Sequence, residues 1–414
     1  MSHDWTSSRR RFLQLSAGAT LATVVTPAGL ASAAPVAPAA PGRAGTTTDA
    51  SHNPYASWSN GPCPSYDPTF FPIGVWLQEP DLAPDYQQAG INLYVGLWQG
   101  PTTEQLATLA SHGMPVIADQ NPTGLGYGAD NPLVGWSHQD EPDNAQPLPE
   151  GGYGPPVDPA VIVDRYHQMQ AADPTRPVLL NLGQGVANDD WVGRGPDASL
   201  DDYPKYAKGA DLISFDVYPV ADGLPLWLVA KGLDRLRDWS EPDKVIWNFI
   251  ETTNISGTNQ VTPHQFRAEV WMSLVHGSQG ILYFVHRFAP EFDAARLLHD
   301  PVMLAAVTET NAQIHRLAPV LNSRSISDDV RVTSADPEVP IDVMVKRYAG
   351  QTYVFAVSMW DAPTRGTFEL AGPAGIAASA VVLDEDRSLS VRHARFEDDF
   401  QPYDVHLYKL VGDS

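Results

Sequence analysis

The run DLISFDVYP, Asp211 to Pro219, carries two faces. Read as an extended segment, Ile213, Phe215 and Val217 point one way while Ser214 and Asp216 point the other. The same alternation marks VGWSHQDE, Val134 to Glu141, where Gly135, Ser137, Gln139 and Glu141 share a face. A face of small and polar residues suits the crowded interior of a closed barrel, with the bulky apolar face turned to surrounding helices.

Working outward, eight such runs follow one another: FPIGVWL (71–77), INLYVGLW (91–98), MPVIAD (114–119), LVGWSHQDE (133–141), PVLLNLG (177–183), DLISFDVYP (211–219), KVIWNFIE (244–251) and GILYFVHR (280–287). Between most of them lie segments with apolar residues at three- and four-residue spacing, namely Thr102 to His112, Pro159 to Ala172, Leu224 to Trp239 and Pro263 to His276, with a last helix from about Pro301 to Leu317. Thr102 and Thr262 are good helix caps. Eight βα units predict a (β/α)8 TIM barrel over residues 67–322. A doubly wound sheet would carry a Gly-rich turn after the first strand, where this chain has Trp76-Leu77-Gln78-Glu79. Beyond the barrel the texture shifts to short alternating runs such as IDVMVKRY, TYVFAVSMW and DVHLYKL, predicting a C-terminal antiparallel β-sandwich over 323–414. The aromatics Trp360, Tyr403 and Tyr408 alternate there as core residues would.

The N-terminus bears on location. Ser8-Arg9-Arg10-Arg11-Phe12-Leu13-Gln14 is close to the pattern of twin-arginine signals, and an apolar stretch ends at Ala31-Ser32-Ala33. A signal peptide over 1–33, a Pro/Ala/Thr-rich lead-in over 34–66 and a secreted protein with no membrane attachment are expected. The chain has one cysteine, Cys63, so no intramolecular disulfide forms. Its formal net charge of −23 argues against nucleic acid and anionic membranes and suits neutral or cationic ligands. Nothing in the sequence settles the oligomeric state.

Two glutamates end predicted strands: Glu141 the fourth and Glu251, in VIWNFIETT, the seventh. A pair of carboxylates at one barrel mouth is what glycosidic cleavage needs, one to protonate the departing oxygen and one to attack the anomeric carbon or activate water. The simpler alternatives are an ion pair or helix terminus for Glu141 and the start of a polar loop for Glu251. Asp216 and Tyr218, ending strand six, are candidates for holding a sugar hydroxyl and orienting a nucleophile. Trp76, Trp98, Trp136 and Tyr283 are candidate platforms for sugar rings, with Asp119 and His286 on a hydroxyl-binding rim. The Pro- and Gly-rich loop from Asp143 to Asp158 is expected to wall one side of the cleft. The residue spacing matches no metal motif and no GxSxG elbow, so no cofactor and no metal are expected.

With those residues in view, the chain resembles clan A glycoside hydrolases, barrels whose acid/base glutamate ends strand four and whose nucleophilic glutamate ends strand seven. The tail Phe396 to Tyr408 is also similar to the last strands of small β domains appended to such barrels. The resemblance implies a retaining hydrolase with Glu141 as acid/base, Glu251 as nucleophile and a carbohydrate substrate. The clan has asparagine before the acid/base residue; this chain has Asp140, implied to bind sugar. Alternatives are an inverting hydrolase, a transglycosidase, or a barrel that binds carbohydrate without cleaving it.

Overall fold

The computed structural model describes residues 53–412 apart from 66, 129, 150, 196 and 197. The expected signal peptide and most of the lead-in therefore lie outside the described residues. Eight parallel strands form the first layer: β1 (Ile73–Trp76), β2 (Leu93–Val95), β3 (Val116–Asp119), β4 (Leu133–Ser137), β5 (Val178–Leu182), β6 (Leu212–Phe215), β7 in two pieces (Val245–Ile246 and Asn248–Glu251) and β8 (Ile281–Phe284). The first piece of β7 pairs with β6, the second with β8, and β8 pairs with β1, which closes the cylinder. Trp247 parts the two pieces, yet its N–H still donates to the Ile213 carbonyl at 2.9 Å.

The alternation in the sequence is the alternation in the barrel. Leu93, Val95, Ile117, Leu179, Phe249 and Leu282 form one apolar cluster inside the cylinder. Ile73, Val116, Val178, Ile213, Phe215 and Ile281 belong to a second cluster, shared with the helices. Gly135 is needed inside: a Cβ there would stand 2.9 Å from Ile117 Cγ1. Tyr55, in the lead-in, plugs the N-terminal end, accepting a bond from Trp247 Nε1 at 3.1 Å and donating to the Gln279 carbonyl.

The helices are α1 (Ala83–Gln88), α2 (Thr103–Ser111), α3 (Pro122–Gly126), α4 (Pro159–Ala172), α5 (Tyr203–Tyr206), α6 (Pro219–Asp222), α7 (Leu228–Trp239), α8 (Pro263–Val275) and α9 (Pro301–Leu321). Thr102 and Thr262 each close a capping box with a glutamine three residues on. The expected helix from Leu224 begins four residues late. Gly223 turns left-handed (φ 69°) after α6, and the Leu224 N–H is taken by the Pro219 carbonyl at 2.7 Å. The helix expected to stop at Leu317 runs to Leu321 through Pro319.

The C-terminal domain has eight strands: β9 (Val330–Ser334), β10 (Ile341–Tyr348), β11 (Gln351–Ser358), β12 (Thr364–Leu370), β13 (Ala377–Val382), β14 (Arg387–Ser390), β15 (Arg395–Phe400) and β16 (Val405–Gly412). A three-stranded sheet, β9-β12-β15, faces a five-stranded one, β10-β11-β16-β13-β14. Val354, Ala356, Phe368, Phe396 and Tyr408 fill the space between them. The other face of β11 is also apolar: Phe355 and Val357 join the barrel's outer cluster, with Phe355 tilted against Trp271 of α8. Tyr408 is thus core, whereas Trp360 is 42% exposed and stacks on Trp227 of the barrel.

Candidate active site at the C-terminal mouth

The mouth opens where the strand ends deliver polar side chains. Asp216 follows β6 and keeps its interior parity; it is 6% exposed. Glu141 arrives differently. β4 stops at Ser137, and Gln139 swings outward to bond Arg165 at 2.6 Å. Glu141 then re-enters with its backbone at φ 43°, a left-handed conformation that costs a non-glycine residue on the order of 1–3 kcal/mol. Strain of that kind is kept only where the surroundings over-determine it. Here Asp143 does so, accepting from the Gly183 N–H at 2.8 Å and the Tyr203 hydroxyl at 3.0 Å.

Glu141 and Asp216 border the same cavity, and each shifts the other's protonation: their contact favours a protonated Glu141 and an ionised Asp216. Glu141 is 4% exposed, and its Oε2 receives no N–H or hydroxyl from the described residues. Burial, then the Asp216 charge, holds Glu141 well above the usual carboxylate range. Burial pushes Asp216 up to about 7, against the bonds from Glu141, Tyr218 (3.2 Å) and Asn181 that favour its charged form. Asn181 also donates to Asp140 at 2.9 Å and accepts from the Ser214 hydroxyl at 2.8 Å. Burial, followed by the Asp216 charge, raises Asp140 too.

An open cavity lies over the pair, lined by Glu141, Asp216, Tyr218, Trp191, Gln184 and Asp222 among others. Trp191 is fixed by its Nε1 bond to Asn144 Oδ1 at 2.8 Å. Trp76, Phe249 and Phe284 lie beneath, bordering a tighter recess with Asp140, Asn181, Asp216 and Tyr218.

Several expected site residues lie elsewhere. Glu251 ends β7 as the spacing predicts, but it does not border the cavity. It is fully buried, and its two oxygens accept the Val220 N–H at 2.7 Å and the Ala221 N–H at 2.9 Å, tying β7 to the first turn of α6. Burial pushes it up to about 8, against those two bonds. Trp136 faces the helices, fully buried, with Nε1 bound to Asp173 at 3.0 Å, and cannot meet a sugar. Tyr283 also has outward parity and donates to Asn311 of α9 at 2.6 Å. His286 is buried behind the rim, stacked on Phe292 and 3.2 Å from Gln78 Nε2. Trp98 packs beside the interior cluster and does not line the cavity. Asp119 ends β3 on the open rim, accepting from Ser137 at 3.1 Å. The loop from Asp143 to Asp158 folds against Gly193 and leaves the wall to Trp191, Ile255 and Ser256.

Asn181, Gln184 and Asp222 went unread in the sequence. Asn181 had a signal, a polar residue of interior parity in VLLNL; Gln184 and Asp222 sit in loops that periodicity does not place. Among the described residues no group of three or more His, Cys, Asp or Glu side chains could hold a metal ion, and no helix is long and apolar enough to cross a membrane.

No protein-family model and no curated protein sequence matches the chain. Solved structures similar to it in fold include an α-amylase from Anoxybacillus (TM-score 0.55, 10% identity, covering 84% of this chain and 100% of that one). An α-amylase from Geobacillus thermoleovorans, complexed with acarbose, has a TM-score of 0.52 at 10% identity, over 84% of this chain and 100% of its own. A single-residue variant of AmyP in complex with maltotriose gives 0.50 at 10% identity, over 83% and 97%. At such identity the likeness is one of fold: a TIM barrel carrying a C-terminal β domain.

Proposed function

We propose that this protein is a secreted glycoside hydrolase in which Glu141 is the acid/base and Asp216 the second carboxylate. The observation that carries the reading is that the buried Glu141 and Asp216 both face one open cavity at the barrel's C-terminal mouth. Its support is chemical. Cleavage needs one protonated and one ionised carboxyl, and two buried acids that shift each other's protonation supply that division. The carbohydrate complexes of two similar barrels support the ligand class. The twin-arginine-like N-terminus supports export.

A glycosidic oxygen entering the site takes the place of Asp216 as the acceptor of the Glu141 proton. The proton passes to that oxygen, the bond from it to C1 breaks, and the freed Asp216 carboxylate bonds to C1. Glu141, now ionised, removes a proton from water as the water oxygen attacks C1 and displaces Asp216. Retaining pairs stand about 5–5.5 Å apart and inverting pairs about 6.5–9.5 Å. Two acids that border one cavity and shift each other's protonation suit the shorter gap, so retention is the outcome we assign. Glu251, outside the cavity, positions the α6 turn.

The test is a broad panel of polysaccharides and aryl glycosides given to the wild type, Glu141→Gln and Asp216→Asn, with product anomers followed by NMR. Sugar release that falls at least about a thousandfold in both variants, with the anomer retained at first, is expected. Binding without release that both variants leave unchanged would make the barrel a carbohydrate-binding protein and overturn the reading.

A further inference from the structure

Three acidic side chains line the cavity: Glu141, Asp216 and Asp222. No lysine, arginine or histidine does. The proposed chemistry uses the first two and leaves Asp222, the last residue of α6, without a task. Asp222 is built in place. Its Oδ2 accepts from Gln184 Nε2 at 2.6 Å, and Gln184 Oε1 is held by Asn188 Nδ2 at 2.7 Å. The residue is only half-buried, and it lines the cavity.

The basic side chains around it are engaged elsewhere. Lys231 and Arg235 of α7 both bind Asp189, at 2.7 Å each. Arg194 bonds the Ser199 carbonyl and lies over the Tyr203 ring. Asp140 and Asp143 add two more acids close behind the pair. A second observation points to a ligand: Glu141 Oε2, buried and lining the cavity, has no N–H or hydroxyl donor among the described residues. The site thus lacks positive charge, and what enters must bring it. A sugar acid or sulfated sugar would meet the same field as repulsion.

We propose that the sugar bound beside the Glu141–Asp216 pair carries a free, positively charged amino group, and that Asp222 receives it. This deepens the glycosidase reading and rests on it. A neutral hydroxyl can also donate to Asp222, but only a cation offsets the surrounding acids. Burial also pushes Asp222 upward. An arriving ammonium draws Asp222 back toward ionisation, so binding of an amino sugar releases a proton and binding of a neutral sugar does not.

The experiment compares aryl 2-amino-2-deoxy glycosides with their hydroxyl and acetamido counterparts, in gluco and galacto series and both anomers. It uses the wild type and Asp222→Asn, at low and high salt. The free amine is expected to lead in kcat/KM by about tenfold or more, with the lead shrinking in Asp222→Asn and, for the wild type, in high salt. Hydrolysis that favours the hydroxyl or acetamido sugars, or a ratio untouched by Asp222→Asn and salt, would overturn the inference and leave the glycosidase reading standing. If no glycoside is cleaved, the glycosidase reading fails, and calorimetry with glucosamine oligomers in two buffers of different ionisation enthalpy then decides the inference. Proton release that Asp222→Asn abolishes supports a cation site; no binding overturns it.

Discussion

At the scale of single residues, the site is an exercise in making one acid unlike its neighbour. Glu141 and Asp216 compete for one proton in a place with little water, and Tyr218 tips the balance by donating to Asp216. If Glu141 must be protonated and Asp216 ionised, kcat/KM climbs as pH rises through about 7, the value to which Asp216 is pushed, and falls when Glu141 ionises at higher pH. Tyr218→Phe removes a donor that favours the ionised Asp216, so the rising limb of the profile is expected to move to higher pH. A pH series of initial rates on the two proteins checks this, and an unmoved limb would remove Tyr218 from the account. Asp216 was legible in the sequence because strand parity is a local property: in DLISFDVYP the chain alone sets which residues alternate. Trp136 and Tyr283 obeyed the same rule in the other direction. Their parity already pointed them at the helices, and counting aromatic rings near strand ends overrode it.

At the scale of elements, Glu251 shows how a strand end can shape a cavity without entering it. Its carboxylate accepts two backbone N–H groups at the start of α6, and the same segment carries Tyr218, Ala221 and Asp222 to the cavity wall. An amide has one acceptor oxygen, so Glu251→Gln leaves a buried N–H facing an NH2 group. We expect a loss of about 1–3 kcal/mol in denaturant unfolding and a fall in activity smaller than that of Asp216→Asn. Adding azide to Glu251→Gly offers a sharper comparison. A glycosyl azide of inverted anomer would make Glu251 the nucleophile after all, and its absence there with its appearance in Asp216→Gly fits the positioning role. The strands themselves were read with little error, since period-two patterns and turn residues are short-range. The first turn of α6 was not, because four residues around two prolines and a glycine carry no period.

At the scale of the whole molecule, the sandwich is fastened to the barrel by more than apolar contact. His276, at the end of α8, sits between Asp234 of α7 (3.0 Å from Nδ1) and Asp342 of β10 (3.1 Å from Nε2), and Arg237 bonds its carbonyl. Burial works against the charged imidazole, but the two aspartates outweigh it and raise His276 to about 9. A pKa raised on folding means the contribution is fully present below the unfolded value near 6.5 and is lost as pH rises through about 9. Both aspartates are more than a third exposed, so screening limits the effect to roughly 1–2 kcal/mol. Thermal unfolding of the wild type is expected to lose stability between pH 7 and about 10, and His276→Asn to show a flatter slope over that range. Equal slopes would mean that the imidazole does not clamp the domains.

The sequence by itself determined the closed eight-stranded cylinder, the appended β domain and the inward face of β6, because alternation, helical spacing and caps are written in neighbouring residues. Tertiary structure alone decided which carboxylates meet. Glu141 comes to the cavity beside Asp216 only through a left-handed turn past the end of β4, held by Asp143 on Gly183 after β5 and on Tyr203 of α5. Glu251 is turned aside by N–H groups of α6, some thirty residues earlier in the chain. Contacts between segments so far apart leave no local period, and burial, which sets their protonation, exists only once the barrel has closed.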